Sequence, residues 1–266
     1  MDFRDAIVTK LVILIPTGGT VHTGFMRSMI ALTQALPARG IQFAVKTYEF
    51  SDLVTSRNYL ASYFLSQKNF DHALMLDSDL SFAPAQFFRL LDFDADFTAA
   101  VYPDRRWTSV GLKAALSSAN PDDLDDPVSV QRHMAGHLNY ILSTYTAQGK
   151  PLEVVRRDGF HTAATVGGGF VLIKRNVVEQ IVEQGHARKL PRLAQRPDFK
   201  DAPEFADFYS HMLTEDGGGM LGEDQSFCRR WQQGCGGDIW IDEASALSHI
   251  GMQTYHGDYQ ARLNRS

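Results

Sequence analysis

Asp77 and Asp79 stand two residues apart where the apolar run Ala73-Leu74-Met75-Leu76 ends, the sharpest chemical signal in the chain. On an extended strand their side chains share one face. In open α/β sheets ligands collect outside the carboxyl ends of the strands, so the pair could hold a hard cation against a phosphorylated ligand. The competing reading is that the two aspartates only cap the helix starting near Pro84. A second acidic pair, Glu223-Asp224, follows Gly222 and opens a helix whose Phe227 and Trp231 lie one turn apart. Acids in a first turn stabilise a helix by about 0.3–1 kcal/mol without doing any chemistry.

Paired carboxylates at a strand exit serve two enzyme classes. One binds a nucleotide diphosphate through a divalent metal; the other is the haloacid-dehalogenase-type phosphatase, with Asp77 as nucleophile and Asp79 as general acid. The phosphatase also needs a downstream G-D-x-x-x-D, and Gly237-Asp238-Ile239-Trp240-Ile241-Asp242 matches as a string. Its context does not: a helix ending at Gln232-Gln233-Gly234 precedes it, and the strand comes after. A non-catalytic nucleotide- or glycan-binding module is a third option. His133 and His137 are spaced i, i+4 without a third ligand or an H-E-x-x-H pattern and read as a surface pair.

The elements that must position these residues follow from periodicity. Lys10 to Ile15 reads as a buried strand ending at the loop Pro16-Thr17-Gly18-Gly19-Thr20, and Phe25 to Leu36 as a helix closed by Pro37 and Gly40. Gln42 to Phe50 predicts a strand, Val54 to Gln67 a helix, His72 to Leu80 a strand, a helix starts at Pro84, and Phe97 to Val101 is a fourth strand. Strands alternating with helices predict a parallel, doubly wound sheet over the first hundred or so residues. Beyond Tyr102-Pro103 the pattern changes. Ser117 to Pro127 reads as an exposed loop, and Leu138 to Tyr145 and Leu152 to Arg156 as edge strands turning at Gly149-Lys150-Pro151. A strand-like run over Thr165 to Lys174 contains Gly167-Gly168-Gly169, followed by helices over Asn176 to Glu183 and Asp224 to Gln232, a strand over Ile239 to Ala246 and a polar tail. The expected fold class is α/β, a Rossmann-like doubly wound sheet with a parallel N-terminal half and a mixed C-terminal half, in one domain over 1–266.

Composition narrows the classes. The chain has 266 residues, 44% hydrophobic and 21% charged, enough for a substantial core. A net charge of -5 argues against nucleic acid as a partner. Cys228 and Cys235 are too few for a disulfide framework and lack zinc-site spacing, which fits a reducing compartment. The longest apolar stretch, Leu11 to Ile15, is too short to span a bilayer, and the acidic start Met1-Asp2-Phe3-Arg4-Asp5 lacks a secretory basic region. A cytoplasmic protein is expected, with peripheral contact at the inner membrane face left open.

Asp77-Ser78-Asp79 after a βαβαβ start, Val101-Tyr102-Pro103, Val166 to Arg175 with its triple glycine, Gly222-Glu223-Asp224-Gln225-Ser226-Phe227 and Ser248-His249-Ile250-Gly251 come in an order that resembles GT-A-fold nucleotide-sugar glycosyltransferases of the D-x-D type. The likeness covers nearly the whole chain and is nearest to bacterial and viral single-domain enzymes with a Ser-Arg-Asn start to the second helix, here Ser56-Arg57-Asn58. The resemblance implies a donor-binding half over 1–105 and an acceptor-binding, catalytic half over 106–266. It implies that Asp77 faces the ribose or metal, that Asp79 coordinates Mn²⁺ or Mg²⁺, and that His249 is a third ligand, a set suited to Mn²⁺. Pro16, Thr17 and Ser78 would line the nucleotide pocket, and Arg57 and Asn58 would meet a phosphate or base. Gly168 and Gly169 would let a sugar lie against backbone beside Phe170. In inverting relatives the aspartate of the Glu223-Asp224 pair is the general base; retaining relatives use such a carboxylate to hold a sugar. The donor implied is a UDP- or GDP-type nucleotide sugar, the acceptor a glycan or glycolipid.

Overall fold

The structure, a computed structural model, describes residues 9–120, 122, 125–145 and 149–252. The acidic start and the polar tail beyond Met252 lie outside the described residues. The N-terminal half follows the periodicity closely: β1 (Lys10–Thr17), α1 (Thr23–Ala35), β2 (Gln42–Glu49), α2 (Leu53–Ser66), β3 (His72–Leu76), the two-residue β4 (Leu80–Ser81), α3 (Pro84–Phe93) and β5 (Phe97–Ala100). α2 is started by Asp52, whose side chain accepts from the Thr55 amide, and α3 has Pro84 in its first turn.

The second half is made of shorter pieces: α4 (Ser109–Ser118), α5 (Pro127–Ala135), β6 (Leu142–Ser143), β7 (Arg156–Arg157), β8 (Phe160–Thr162), β9 (Thr165–Val166), β10 (Phe170–Lys174), α6 (Arg175–Glu183), α7 (Pro191–Ala194), β11 (Met212–Leu213), β12 (Met220–Leu221), α8 (Glu223–Arg229), β13 (Trp240–Asp242) and β14 (Ser248–His249). Several expected strands are shorter here. Of the stretch from Leu138 to Tyr145 only β6 joins a ladder, with β9; strand pairing after Leu152 begins at β7; and Tyr145 bridges Pro151 across the expected turn. Ser117 and Ser118 finish α4 rather than starting a loop. α8 continues into a π-helical turn over Arg230–Gly234.

The eight-stranded sheet has the order β2-β1-β3-β10-β5-β13-β8-β7. β1, β2 and β3 are parallel neighbours, and β13 is parallel to β5. β10 enters antiparallel between β3 and β5, so the fourth predicted strand shares the direction of the third without touching it. The expected α/β sheet, parallel at its N-terminal end and mixed beyond, is the one observed. Alternate residues of β1 feed opposite layers: Val12 and Leu14 pack with Tyr59, Phe64 and Ile181 on one face, and Leu11, Ile13 and Ile15 with Phe25, Leu32 and Phe87 on the other. Burial on both faces explains why this strand reads as continuous aliphatic sequence. Cys228 and Cys235 are both free. Among the described residues no helix is long and apolar enough to cross a membrane.

Candidate active site

β1 and β3 end side by side, and their C-terminal ends open into a cavity of about 360 Å³ lined by Pro16, Thr17, Arg57, Asp77, Ser78, Asp79 and residues from distant parts of the chain. Strand pairing in β3 stops at Leu76, so Asp77-Ser78-Asp79 is a turn rather than strand. The Asp77 amide donates to the Gly169 carbonyl at 2.9 Å, and the Leu80 amide donates back to the Asp77 carbonyl. The shared-face expectation is thereby corrected: within the turn the two carboxylates take different partners.

Asp77 accepts from Arg57 Nη2 through both oxygens at 3.0 Å. Arg57, from the second turn of α2, is 1% exposed, and its other terminal nitrogen contacts Asp224 Oδ1 and, at 3.4 Å, Glu223 Oε1. Burial is the largest influence and works against its charge, but Asp77 together with Tyr209 and Tyr102 outweighs it, and the guanidinium is driven further toward the protonated form. The Tyr209 ring lies 5.8 Å away. Arg57 therefore joins the strand-exit turn to the start of α8 from beneath the cavity.

Asp79 accepts from Arg105 Nη1 at 2.8 Å, and its Oδ2 lies 3.4 Å from His249 Nε2. The two meet because β4 and β14 pair antiparallel, with His249 opposite Leu80, and the Ile250 amide donates to the Asp79 carbonyl at 2.8 Å. His249 Nδ1 sits 2.8 Å from the Pro103 carbonyl, which only accepts, so Nδ1 carries the proton and Nε2 faces Asp79. Burial pulls the Asp79 carboxyl upward, but the hydrogen bond and charge of His249, with Arg105, hold it below its ordinary value. Burial alone would lower the imidazole pKa; Asp79 and the Pro103 carbonyl raise it instead.

Whether these residues suit a divalent cation can be tested on the cavity itself. Asp79 Oδ1 is buried with no hydrogen-bond partner, and it lies beside an imidazole that, with its proton on Nδ1, presents the Nε2 lone pair to a cation when neutral. Four carboxylates and two guanidiniums line the cavity, leaving it short of positive charge for an anionic ligand. Asp79 and His249 thus fit a cation. Asp77 does not join them: the buried Arg57 charge captures both its oxygens, and among the described residues no group of three or more His, Cys, Asp or Glu is arranged to hold a metal. The expected Asp77–Asp79–His249 set is thus not gathered in one place: Arg57 holds Asp77, and Asp79 lies with His249.

The glycines and Asn58 are also placed differently from expectation. A Cβ on Gly168 would run into Asp224 and Arg57, and one on Gly169 into Asp77 and the Tyr102 hydroxyl. Their missing side chains make room for the Asp224 and Asp77 carboxylates, the Arg57 guanidinium and the Tyr102 hydroxyl. Phe170 is fully buried, edge-on to Phe82 at 4.9 Å, and offers no platform. Asn58 turns inward: its Oδ1 accepts from the Tyr209 amide and its Nδ2 donates to Ser210, which anchors the chain beneath the site. The G-D-x-x-x-D string does not reach the cavity, since Asp238 is exposed and Asp242 is fully buried in a bidentate pair with Arg89 at 2.7 and 2.8 Å. Trp240 belongs to the core, Trp107 is exposed, and the His133 and His137 rings lie 5.1 Å apart on the α4–α5 side.

Arg105 and Tyr102 were not among the expected site residues. Arg105 carries no spacing signal; Tyr102, whose hydroxyl accepts from the Gly169 amide at 2.9 Å, stood in the sequence within the Val101-Tyr102-Pro103 motif but with no role of its own. A second cavity of about 400 Å³ adjoins the first, sharing Ile141, Glu223 and Asp224 with it. Asp224 therefore stands at the boundary of two spaces.

No family model matches the chain, and no curated protein sequence matches it. Among solved structures it is similar to A197 from STIV, at 15% identity over 94% of this chain and 100% of that one, with a TM-score of 0.42. It is similar to a Drosophila β-1,4-galactosyltransferase 7 mutant in complex with manganese, UDP-Gal and xylobiose, at 12% identity over 97% and 80%, TM-score 0.39. A third likeness, to a glycosyltransferase involved in glycosylation of the major capsid of PBCV-1, has 16% identity over 37% and 54%, TM-score 0.23. With TM-scores no higher than 0.42, none of these assigns a function to this chain.

Proposed function

We propose that the protein is a nucleotide-sugar glycosyltransferase that binds its donor in the charged cavity and its acceptor hydroxyl in the adjoining one. The observation that carries this reading is the junction of the two cavities at Glu223 and Asp224, with the Asp77–Asp79 turn lining the first cavity only. A transferase needs two substrates to meet at one group, and Asp224 is that group. Pro16, Thr17 and Ser78 flank the nucleotide, and Asp79 with His249 would hold a Mn²⁺ or Mg²⁺ ion. The chemistry such an ion supplies is neutralisation of the charge on the departing diphosphate. Arg57 holds Asp224 toward the donor side, and in an inverting reaction Asp224 accepts the proton of the attacking acceptor hydroxyl.

The phosphatase alternative finds less support. Both oxygens of Asp77 are engaged by Arg57, and Asp238 and Asp242 lie away from the cavity.

The test is thermal shift with UDP, GDP and other nucleoside diphosphates, each with and without Mn²⁺, on the wild type and on Asp79→Ala. A ligand at 100 times its Kd raises stability by about 2.7 kcal/mol, so binding is readily seen. A Mn²⁺-dependent shift that Asp79→Ala removes is expected. A phospho-enzyme trapped at Asp77, or full donor hydrolysis by Asp79→Ala, would overturn the reading.

A further inference from the structure

Past Asp224 the second cavity does not close. It runs into a third, of about 240 Å³, through the shared residues Ser143, Thr165 and Gln225, so the two form one groove. One wall is α8 and its π-helical continuation, where Gln225, Arg229 and Gln232 follow one another along a face. At 1.5 Å per residue, Gln225 to Gln232 spans about 10 Å. A single acceptor hydroxyl needs none of this length.

The groove's chemistry contrasts with that of the charged cavity. Beyond the shared Glu223 and Asp224 the charged side chains in its wall are Asp104, which accepts from Arg106 at 2.9 and 3.0 Å, and Arg229, whose guanidinium is committed to Glu215 at 3.0 Å and to the Leu213 carbonyl at 3.2 Å. What remains is neutral hydroxyl and amide groups. Asn139, Thr165 and Gln233 line the groove with amide and hydroxyl groups, and Asn139 and Gln233 are exposed. Tyr140 and Tyr145, 39% and 58% exposed, line its other side. Accessible amide and hydroxyl groups beside half-exposed aromatic rings suit a ligand of many hydroxyls and no charge. A polyanion would find no unpaired cation, and an acyl chain would leave these polar groups desolvated and unpaired.

We infer that this groove binds a neutral oligosaccharide of more than one sugar unit, its reacting end at Asp224 and its length running past Thr165 and Gln225 toward Gln233. The inference rests on the transferase reading for the assignment of the reacting end, but not for binding itself.

The experiment uses the whole chain on an array of neutral mono-, di-, tri- and tetrasaccharides with their sulfated and phosphorylated counterparts, alongside Mn²⁺–UDP and Mn²⁺–GDP thermal shifts. Neutral tri- and tetrasaccharides should be retained at least tenfold better than monosaccharides. Gln233→Trp, at an exposed position, should collapse that length advantage, with circular dichroism and melting temperature checking that it folds. Equal retention of all lengths, preference for charged glycans, or an intact length advantage in Gln233→Trp would each overturn the groove. Oligosaccharide binding without any nucleotide-dependent shift would remove the transferase reading and leave the groove standing; a nucleotide shift without oligosaccharide binding would do the reverse.

Discussion

The cavity at the ends of β1 and β3 and the groove along α8 share a wall and differ in almost every physical respect. In the cavity, each of the four carboxylates faces a cation or an imidazole, and the packing is so close that glycine is required beneath it. In the groove beyond Glu223 and Asp224, the charged side chains of Asp104 and Arg229 are each paired with a neighbour and the rest of the lining is neutral. Tight electrostatic pairing suits a fixed, charged ligand and a reaction in which charge moves; loose neutral polarity suits a long ligand held by many weak contacts. On the proposed reading, chemistry belongs to one side of Asp224 and recognition of an extended partner to the other.

The largest effect is expected at the boundary. Asp224→Asn should slow inverting transfer by about 10²–10⁴-fold, as loss of a general base does, with donor Kd unchanged by calorimetry. If the anomer is inverted and the variant keeps its rate, Asp224 is scaffold and the division at this residue dissolves.

Next comes the ion that organises the cavity. Arg57→Met leaves Asp77, Glu223 and Asp224 facing one another without their shared cation. Removing one member of a buried pair costs about 3–5 kcal/mol, and the lower end applies because the three carboxylates stay 22–24% exposed. Urea unfolding measures it. Arg57→Lys should recover part of the loss but not the two-oxygen grip on Asp77. Equal stability of Arg57→Met and wild type would mean the cluster is not held by charge.

Packing gives a smaller contrast. Gly168→Ala forces a methyl into Asp224 and Arg57 and should cost about 1–3 kcal/mol, whereas Thr165→Ser in the groove should stay within about 0.5 kcal/mol. Comparable costs at the two positions would erase the distinction between them.

The smallest effect belongs to the far end of β3, a reference for both regions. Burial, and then Lys174, hold the His72 imidazole pKa below its ordinary value against the opposing charges of Asp71 and Asp94. The unfolded chain then binds more protons than the folded one, so stability falls as pH drops through about 6.5. His72→Gln should flatten that fall in a pH series of urea midpoints; an unchanged slope would show that His72 does not contribute.

Much of the frame was legible in the letters. The aliphatic run from Leu11 to Ile15 and the helical spacing of Met26, Met29 and Leu36 placed β1 and α1 to within two or three residues, because period and burial are local properties. The triple glycine was visible as an anomaly in a strand, but its cause, the approach of Asp224, Arg57, Asp77 and Tyr102, lay in four other segments. Arg57 illustrates the limit. Its place near the start of a helix suggested a solvent-facing or ligand-facing cation, yet packing drew it under the cavity, where it serves three carboxylates. Asn58, beside it, was read the same way and turned out to hold Tyr209 and Ser210.

By itself the sequence determined the alternating α/β frame and the places where carboxylates emerge from it, since hydrophobic period and chain punctuation act over a few residues. Only the tertiary structure decided which carboxylate meets which cation. β10 inserted between β3 and β5, β14 paired with β4 to bring His249 to Asp79, and Arg57 reached both oxygens of Asp77. Such partnerships depend on distances between remote segments, and a Coulomb interaction that varies with distance and burial cannot be read from spacing along the chain.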